Sequence, residues 1–319
     1  MSEKGKTTLL REAKNIAHIE GLVKEVRLQE REIKGKNAIT GEIEIEVTET
    51  EVHPVNFFAY EKTKEGEDNG IFSSLKTVME EYKTITTHGK EEADAVRVDN
   101  GRLEVNDYVD KTGQVRTFPR LSSNFINRVK KDDSFEPKAE FTTEIFIQKI
   151  SREKDKEGET NRVDLDGVIP VYGGKVVPFS FKVPEDIADY LEDNYEKNQT
   201  MEIWGKIVNF KETVSEKTSA GFGQDKIVTK DITKREYLVT GGTDAYDEDS
   251  KNAYDKELIK AALAERDLML ENKVEEAKKK KSAKGGAKVG FTSNSGSGSS
   301  TNSNTGSSSI DISDDDLPF

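Results

Sequence analysis

Over residues 39–47 the side chains alternate: Ile43, Ile45 and Val47 are interleaved with Glu42, Glu44 and Glu46. A period of two puts the apolar set on one face and the acids on the other. Only a half-buried strand satisfies that pattern, because a helix would scatter both sets around its axis. The stretch 19–28 alternates less cleanly about Gly21, a residue suited to a bulge or sharp bend, and 55–60 reads as a third strand. After a charged, Gly-containing loop over 61–70 the period changes. Leu75, Val78, Met79 and Tyr82 stand at helical spacing, which predicts a helix over 71–82 with Ser73 or Ser74 near its start. Strand signals return over 96–105, read as a hairpin about Asn100-Gly101, and over 115–121, with 125–129 closing the unit.

The same order then recurs. An apolar β-prone run over 140–150 precedes a charged loop over 152–161, and 163–171 with 175–183 form a hairpin about Gly173-Gly174. A helix over 184–194 starts on Pro184 and carries acids at its positive end. Strands over 200–214 and 232–239 follow, split by a Ser/Gly-containing loop over 215–225. Strands, a central helix and more strands are the order of the OB-fold, a small barrel that binds oligonucleotides. The expected fold is therefore mainly β with short helices: two tandem OB-fold-like barrels, a C-terminal helix and a disordered acidic tail. The divisions are a flexible arm over 1–15, OB-like domains over 16–132 and 133–243, an acidic linker and helix over 244–281, a disordered linker over 282–310 and a tip over 311–319.

Composition narrows the chemistry. Cysteine is absent, and His18, His53 and His88 are scattered, so no thiolate or histidine metal site is expected. Gly5-Lys6-Thr7-Thr8 lacks the leading glycine and strand of a phosphate loop, and Gly221-Phe222-Gly223 lacks the third glycine of a dinucleotide fingerprint. Asp164 and Asp166 sit in a strand pattern and read as structural. Asp247–Asp249 lacks the glycine and glutamate of a calcium loop. No catalytic residue, cofactor or metal is expected, and no run is apolar and long enough to span a membrane or serve as a signal core. A cytoplasmic protein follows, in the host cytoplasm if phage-encoded. The net charge of −13 falls only to −9 without the tail aspartates, so any nucleic-acid site must be a local groove on an acidic body.

A binder of single strands needs aromatic faces for stacking and cations for phosphates. By strand parity Arg116, Phe118 and Arg120 share one face. Trp204, Lys206, Val208 and Phe210 share another, with Met201, Ile203 and Ile207 opposite as core, and Lys211 follows. The alternatives are a solvated, salt-bridged strand for the arginine pair and burial of Trp204 and Phe210 under the C-terminal helix. Tyr60, Tyr108 and Phe125 are further candidates, and Phe57 reads as core. Lys24 and Arg27, with Arg31, Lys34 and Lys36 beyond them, are placed to contact backbone, and the Glu42-Glu44-Glu46 row is expected to face away from DNA.

The chain's last stretch is Asp311, Ile312, Ser313, Asp314, Asp315, Asp316, Leu317, Pro318 and Phe319, preceded by Ser/Gly/Asn/Thr-rich sequence that cannot bury enough surface to fold. Such a tether over 292–309 spans roughly 23 Å. Lys278–Lys281 before it either end the helix favourably, touch DNA or pair with Asp314–Asp316. The tip resembles the C-terminal tail of bacterial and phage single-stranded DNA-binding proteins. That resemblance implies non-specific coating of single-stranded DNA during replication, repair or recombination. It also implies that Phe319, Pro318, Leu317 and the aspartates recruit helicases, primases, polymerases or nucleases. Two barrels per chain depart from the one-barrel bacterial type and point to a monomer or small homo-oligomer. A protein-only replication adaptor and a strand-annealing recombination protein are the other readings.

Overall fold

Strand β1 (Asn15–Ile33) organises the molecule, because it is long enough to belong to two sheets' worth of partners. Its first half pairs antiparallel with β4 (Ala95–Val109) on one edge and with β7 (Lys138–Lys154) on the other; its second half pairs with β2 (Lys36–Thr48). The computed structural model describes residues 10–285 apart from 133, 219–221 and 223–225. The remaining elements are β3 (Glu51–Tyr60), α1 (Gly70–Glu81), α2 (Ile85–His88), β5 (Val115–Ser122), β6 (Asn127–Val129), β8 (Glu159–Pro170), β9 (Val176–Val183), α3 (Glu185–Asn194), β10 (Thr200–Thr218), β11 (Lys226–Gly242) and α4 (Lys256–Gly285).

The pairing order is β1-β2-β3-β5-β4 with β4 returning to β1, and β3 with β5 is parallel. The second half repeats it as β7-β8-β9-β11-β10 with β10 returning to β7, and β9 with β11 is again parallel. In each half a helix, α1 or α3, connects the third strand to the fourth. This is the five-stranded Greek-key order of an OB-fold, written twice. The halves are not separate regular barrels. The β1–β7 ladder and a contact of β10 with β3 at Phe210 and Glu51 join all eleven strands into one sheet. Gly21 lies where β1 passes from one partner to the next. A Cβ there would come 2.4 Å from the Glu46 carbonyl oxygen, so only glycine lets β2 approach; the bulge itself falls at Lys24.

The core runs through both halves. Ile19, Ile39, Ile43, Ile45, Phe57 and Leu103 fill the first; Phe141, Ile145, Leu165 and Phe181 fill the second, where Phe179 packs 4.7 Å from the Tyr237 ring centre. The expected alternation of Ile43 and Ile45 inward is present, while Val47 is only partly buried. The buried carboxylate of Glu144 gathers the chain's flanks. It accepts hydrogen bonds from Arg11 at 2.8 Å, the Lys14 amide at 2.7 Å and the hydroxyls of Tyr246 and Tyr254 at 3.3 Å each. Burial alone would raise its pKa, but these donors hold it below the usual carboxylate value. The described part of the expected flexible arm is therefore fastened down.

Several local expectations are corrected. Asn100-Gly101 is not a turn: β4 runs through it, and Asn15 bonds Leu103 through both its side-chain atoms, keeping the strand extended. The turn comes later, at 110–114, where Asp110 accepts from the Thr112 and Gln114 amides. Asn69, not Ser73 or Ser74, caps α1, accepting from the Ile71 amide. Most of the charged stretch over 152–161 is strand, tightened by a turn from Asp155 to Gly158. The expected loop over 215–225 is shorter, because β10 and β11 stay paired out to Thr218 and Lys226. By compactness the described residues up to 105 with 118–266 form one unit, and 106–117 with 267–285 form another. Both core halves belong to the first.

Candidate nucleic-acid interface

Register across β1, β2 and β3 builds rows of side chains on the outer face of the first half. Residues directly opposite in an antiparallel ladder share a face. Arg31 pairs with Ala38, which pairs with Tyr60; Gln29 pairs with Thr40, which pairs with Phe58. Ala38 and Thr40 are small and buried, so the central strand is a floor between Arg31 and Gln29 on one side and Tyr60 and Phe58 on the other. The two rings meet edge to face with centres 4.9 Å apart. Lys36 Nζ lies 5.6 Å from the Tyr60 ring centre, within cation–π range. Lys36 is delivered by a two-residue hairpin turn, Lys34-Gly35, in which both residues have positive φ (51° and 75°). Asn69 donates to the Tyr60 carbonyl at 2.8 Å while capping α1, so the helix start fixes the end of β3. The result is a platform of two rings flanked by Arg31 and Lys36.

The next rows of the same face are acidic. Arg27, Glu42 and Asn56 form one, and Glu25, Glu44 and Pro54 the next. The Glu42-Glu44-Glu46 row therefore shares its face with Tyr60 and Arg27 and does not point away from them, contrary to expectation. The cause is the unbroken β2–β3 register, in which Ala38, Thr40, Glu42 and Glu44 pair in turn with Tyr60, Phe58, Asn56 and Pro54, so every even residue of β2 lies on one face. Arg27 is held by Glu25 at 2.6 Å and by Glu42 and Glu44 at 2.9 Å each, and these carboxylates raise its pKa further. Glu46 pairs with Lys90 at 3.2 Å. The Lys24 carbonyl accepts from the Thr86 hydroxyl.

The other expected residues are dispersed. Phe118 and Phe125 are exposed; Arg120 pairs with Glu104 at 3.1 Å, beyond which it has further partners. In the second unit, Tyr108 is exposed and Arg116 pairs with Asp110 at 2.9 Å. Asp110 is pulled well below the usual carboxylate range by the Thr112 hydroxyl, the Gln114 amide and Arg116. On β10 the parity is as expected: Met201, Ile203 and Ile207 are buried, whereas Trp204 is 40 % exposed rather than covered by the C-terminal helix. Trp204 aligns through Thr142 with exposed Ile16, and Lys206 aligns through Glu140 with His18, across the seam of the halves. Phe210 is half-buried and Lys211 reaches Asp231 at 3.4 Å. The face of the second half that corresponds to the platform carries no ring in its rows Lys149–Asp166–Ser180 and Ser151–Asp164–Lys182. Lys182 there bridges Glu153 and Asp164 at 2.6 Å each.

Sequence reading passed over Phe58. The signal was present, since Phe58 and Tyr60 are two apart in one strand and share its outer face, while Phe57, on the opposite face, is buried as expected. The tip over 311–319, its tether, and the Gly5–Thr8 stretch lie outside the described residues. Among the described residues no cluster of His, Asp and Glu is arranged to hold a metal, and no helix is long and apolar enough to cross a membrane.

Fold and site together define a mainly β protein with two OB-order halves and one outward aromatic–cation platform. A family model described as YorF matches residues 14–279, and the chain belongs to that family. No curated protein matches it. Among solved structures it is similar to a deletion variant of the single-stranded DNA-binding protein from Thermus aquaticus (TM-score 0.46, 11 % identity, 75 % of this chain and 98 % of that one). The wild-type form of the same protein gives a TM-score of 0.45 at 10 % identity, over 76 % of this chain and 97 % of that one. A replication protein A heterotrimer bound to single-stranded DNA gives 0.21 at 6 % identity, over 70 % and 49 %.

Proposed function

We propose that this chain binds single-stranded DNA without sequence preference, coating it during replication, repair or recombination. The observation that carries the reading is the pair of rows placing Tyr60 and Phe58 across the small floor of Ala38 and Thr40 from Arg31 and Gln29, with Lys36 over the Tyr60 ring, on the outer face of an OB-order half. Every base has a π-face, so rings of this kind hold bases regardless of sequence, while the flanking cations meet phosphates. Trp204 with Lys206 supplies a second aromatic–cation position on the other half. The tip over 311–319 then recruits partner proteins, Phe319 entering an apolar pocket while Asp314–Asp316 meet basic side chains. Nothing in this mechanism requires catalysis or a cofactor.

The protein-only adaptor reading draws on one observation: Arg27, Arg116, Arg120 and Lys211 all hold carboxylates. Fluorescence anisotropy with labelled oligo-dT and with matched duplex, on the full chain and on one ending at residue 310, separates the two. The binder reading expects single-strand binding by both chains and loss of partner binding only in the shorter one. No single-strand binding by either chain would overturn it in favour of the adaptor.

A further inference from the structure

We infer that Glu42 and Glu44, with Glu25 beside them, exclude duplex DNA from the aromatic platform and so set a preference for single strands. The inference rests on the platform reading proposed above. Successive rows on one face of a sheet are two residues apart, about 6.7 Å. Glu42 thus stands one row from Phe58 and Glu44 two rows away. The nearer lies within the screening length of about 8 Å at physiological ionic strength. Three carboxylates share the single guanidinium of Arg27, which leaves the band net negative. Glu46 extends it along β2 as far as Lys90, which is itself divided between Glu46 and Glu49.

The two forms of DNA meet this band differently. A single strand is flexible: it can lay one or two bases on Phe58 and Tyr60 and turn its backbone towards Arg31 and the Lys34-Gly35-Lys36 turn. A duplex keeps its bases stacked inside and stays straight over about 150 base pairs. It also carries a negative charge every 1.7 Å or so of its axis. Any duplex lying on the platform and extending along the strands runs over the rows of Glu42 and Glu44. Arg27, the cation in that region, is already occupied by the same carboxylates. The neighbouring acids are thus a repulsive element that discriminates between ligands, as specificity requires.

The test compares wild type with the double variant Glu42→Gln/Glu44→Gln, which keeps shape and removes charge. Binding of a short oligo-dT and of a blunt duplex is read by anisotropy at fixed ionic strength. Removing like charges beside the path should strengthen duplex binding by about tenfold and the single strand by no more than about threefold. Arg27→Gln, which leaves the band more negative, should weaken the duplex further and leave the single strand unchanged. Unchanged duplex binding in the double variant, or equal strengthening of both ligands, overturns the inference. So does loss of single-strand binding in Arg27→Gln, since Arg27 would then be a DNA contact. Those outcomes leave the proposed function standing, whereas a wild type that binds no single strand removes both.

Discussion

Lys36 Nζ sits 5.6 Å from the centre of the Tyr60 ring, and the Phe58 ring meets Tyr60 edge-on 4.9 Å away. An ammonium at the flank of two half-exposed rings is a poor core arrangement and a good one for a base with its phosphate. Stacking contributes about 1–3 kcal/mol per base, so Tyr60→Ala or Phe58→Ala should each weaken oligo-dT binding at least about fivefold. Neither ring is in the buried core, so thermal unfolding should shift little. Titration of labelled oligo-dT beside a melting curve checks both; unchanged affinity in the double variant would remove the platform from the site.

Salt dependence should be shallower than a cation-rich groove would show. Arg27, Arg120 and Lys211 already hold carboxylates, so a phosphate arriving there displaces an internal anion rather than a condensed counterion. With Arg31 and Lys36 as the phosphate contacts, log K against log salt should have a slope of about −1.4 for a short single strand. Affinity measured between low and physiological salt gives the slope directly. A slope several times steeper would require the paired arginines to release their carboxylates and join the site.

Sequence made the inward and outward sets of single strands legible, as at Met201, Ile203 and Ile207 against Trp204 and Lys206, because parity is a local property. The repeated order of strands and helix was equally legible. What parity cannot supply is register between strands. The register of β2 against β3 places Glu42 and Glu44 on the face that carries Phe58 and Tyr60, and the bulge at Lys24 changes the parity of β1 only before Glu25. The two-residue turn at Lys34-Gly35 decides that Arg31 aligns with Ala38, and the β2–β3 ladder decides that Ala38 aligns with Tyr60. The seam between halves rests on pairs such as Ile16 with Thr142, too distant in sequence for any local pattern to disclose. Asn100-Gly101 shows the converse error: a strong turn dipeptide is overruled by the side chain of Asn15, far earlier in the chain.

His53 should make the protein acid-sensitive near the seam. It is fully buried in β3, neither ring nitrogen has a hydrogen-bond partner among the described residues, and burial lowers its pKa from 6.5 to about 4. Between those values the unfolded chain takes up a proton that the folded chain refuses. Stability from this residue is therefore present above pH 6.5 and is lost as pH falls towards 4. The difference between pH 7 and pH 5 is about 2 kcal/mol. Denaturant unfolding at the two pH values, compared with His53→Leu, isolates it, since the variant should lack that share of the acid loss. An identical pH dependence in both proteins would mean His53 gains a partner on protonation.

Two glycines beside Trp204 should tolerate the same substitution to very different degrees. A Cβ on Gly241 would lie 2.7 Å from Trp204 Nε1 and 2.8 Å from Cε2, whereas a Cβ on Gly205 would lie 1.9 Å from the Leu238 carbonyl oxygen. The first clash is with an exposed side chain that can rotate off the sheet. The second is with the backbone of β11, the strand paired along the length of β10, and no rotamer relieves it. Gly241→Ala should therefore cost about 1 kcal/mol or less while shifting the emission of the chain's single tryptophan to longer wavelength. Gly205→Ala should cost about 3 kcal/mol or prevent folding, because the strands must separate to admit the methyl group. Emission spectra and denaturant midpoints of the two variants separate the cases. If Gly241→Ala proves as destabilising as Gly205→Ala, the indole is locked in place by its neighbours rather than resting as a movable cover on β11.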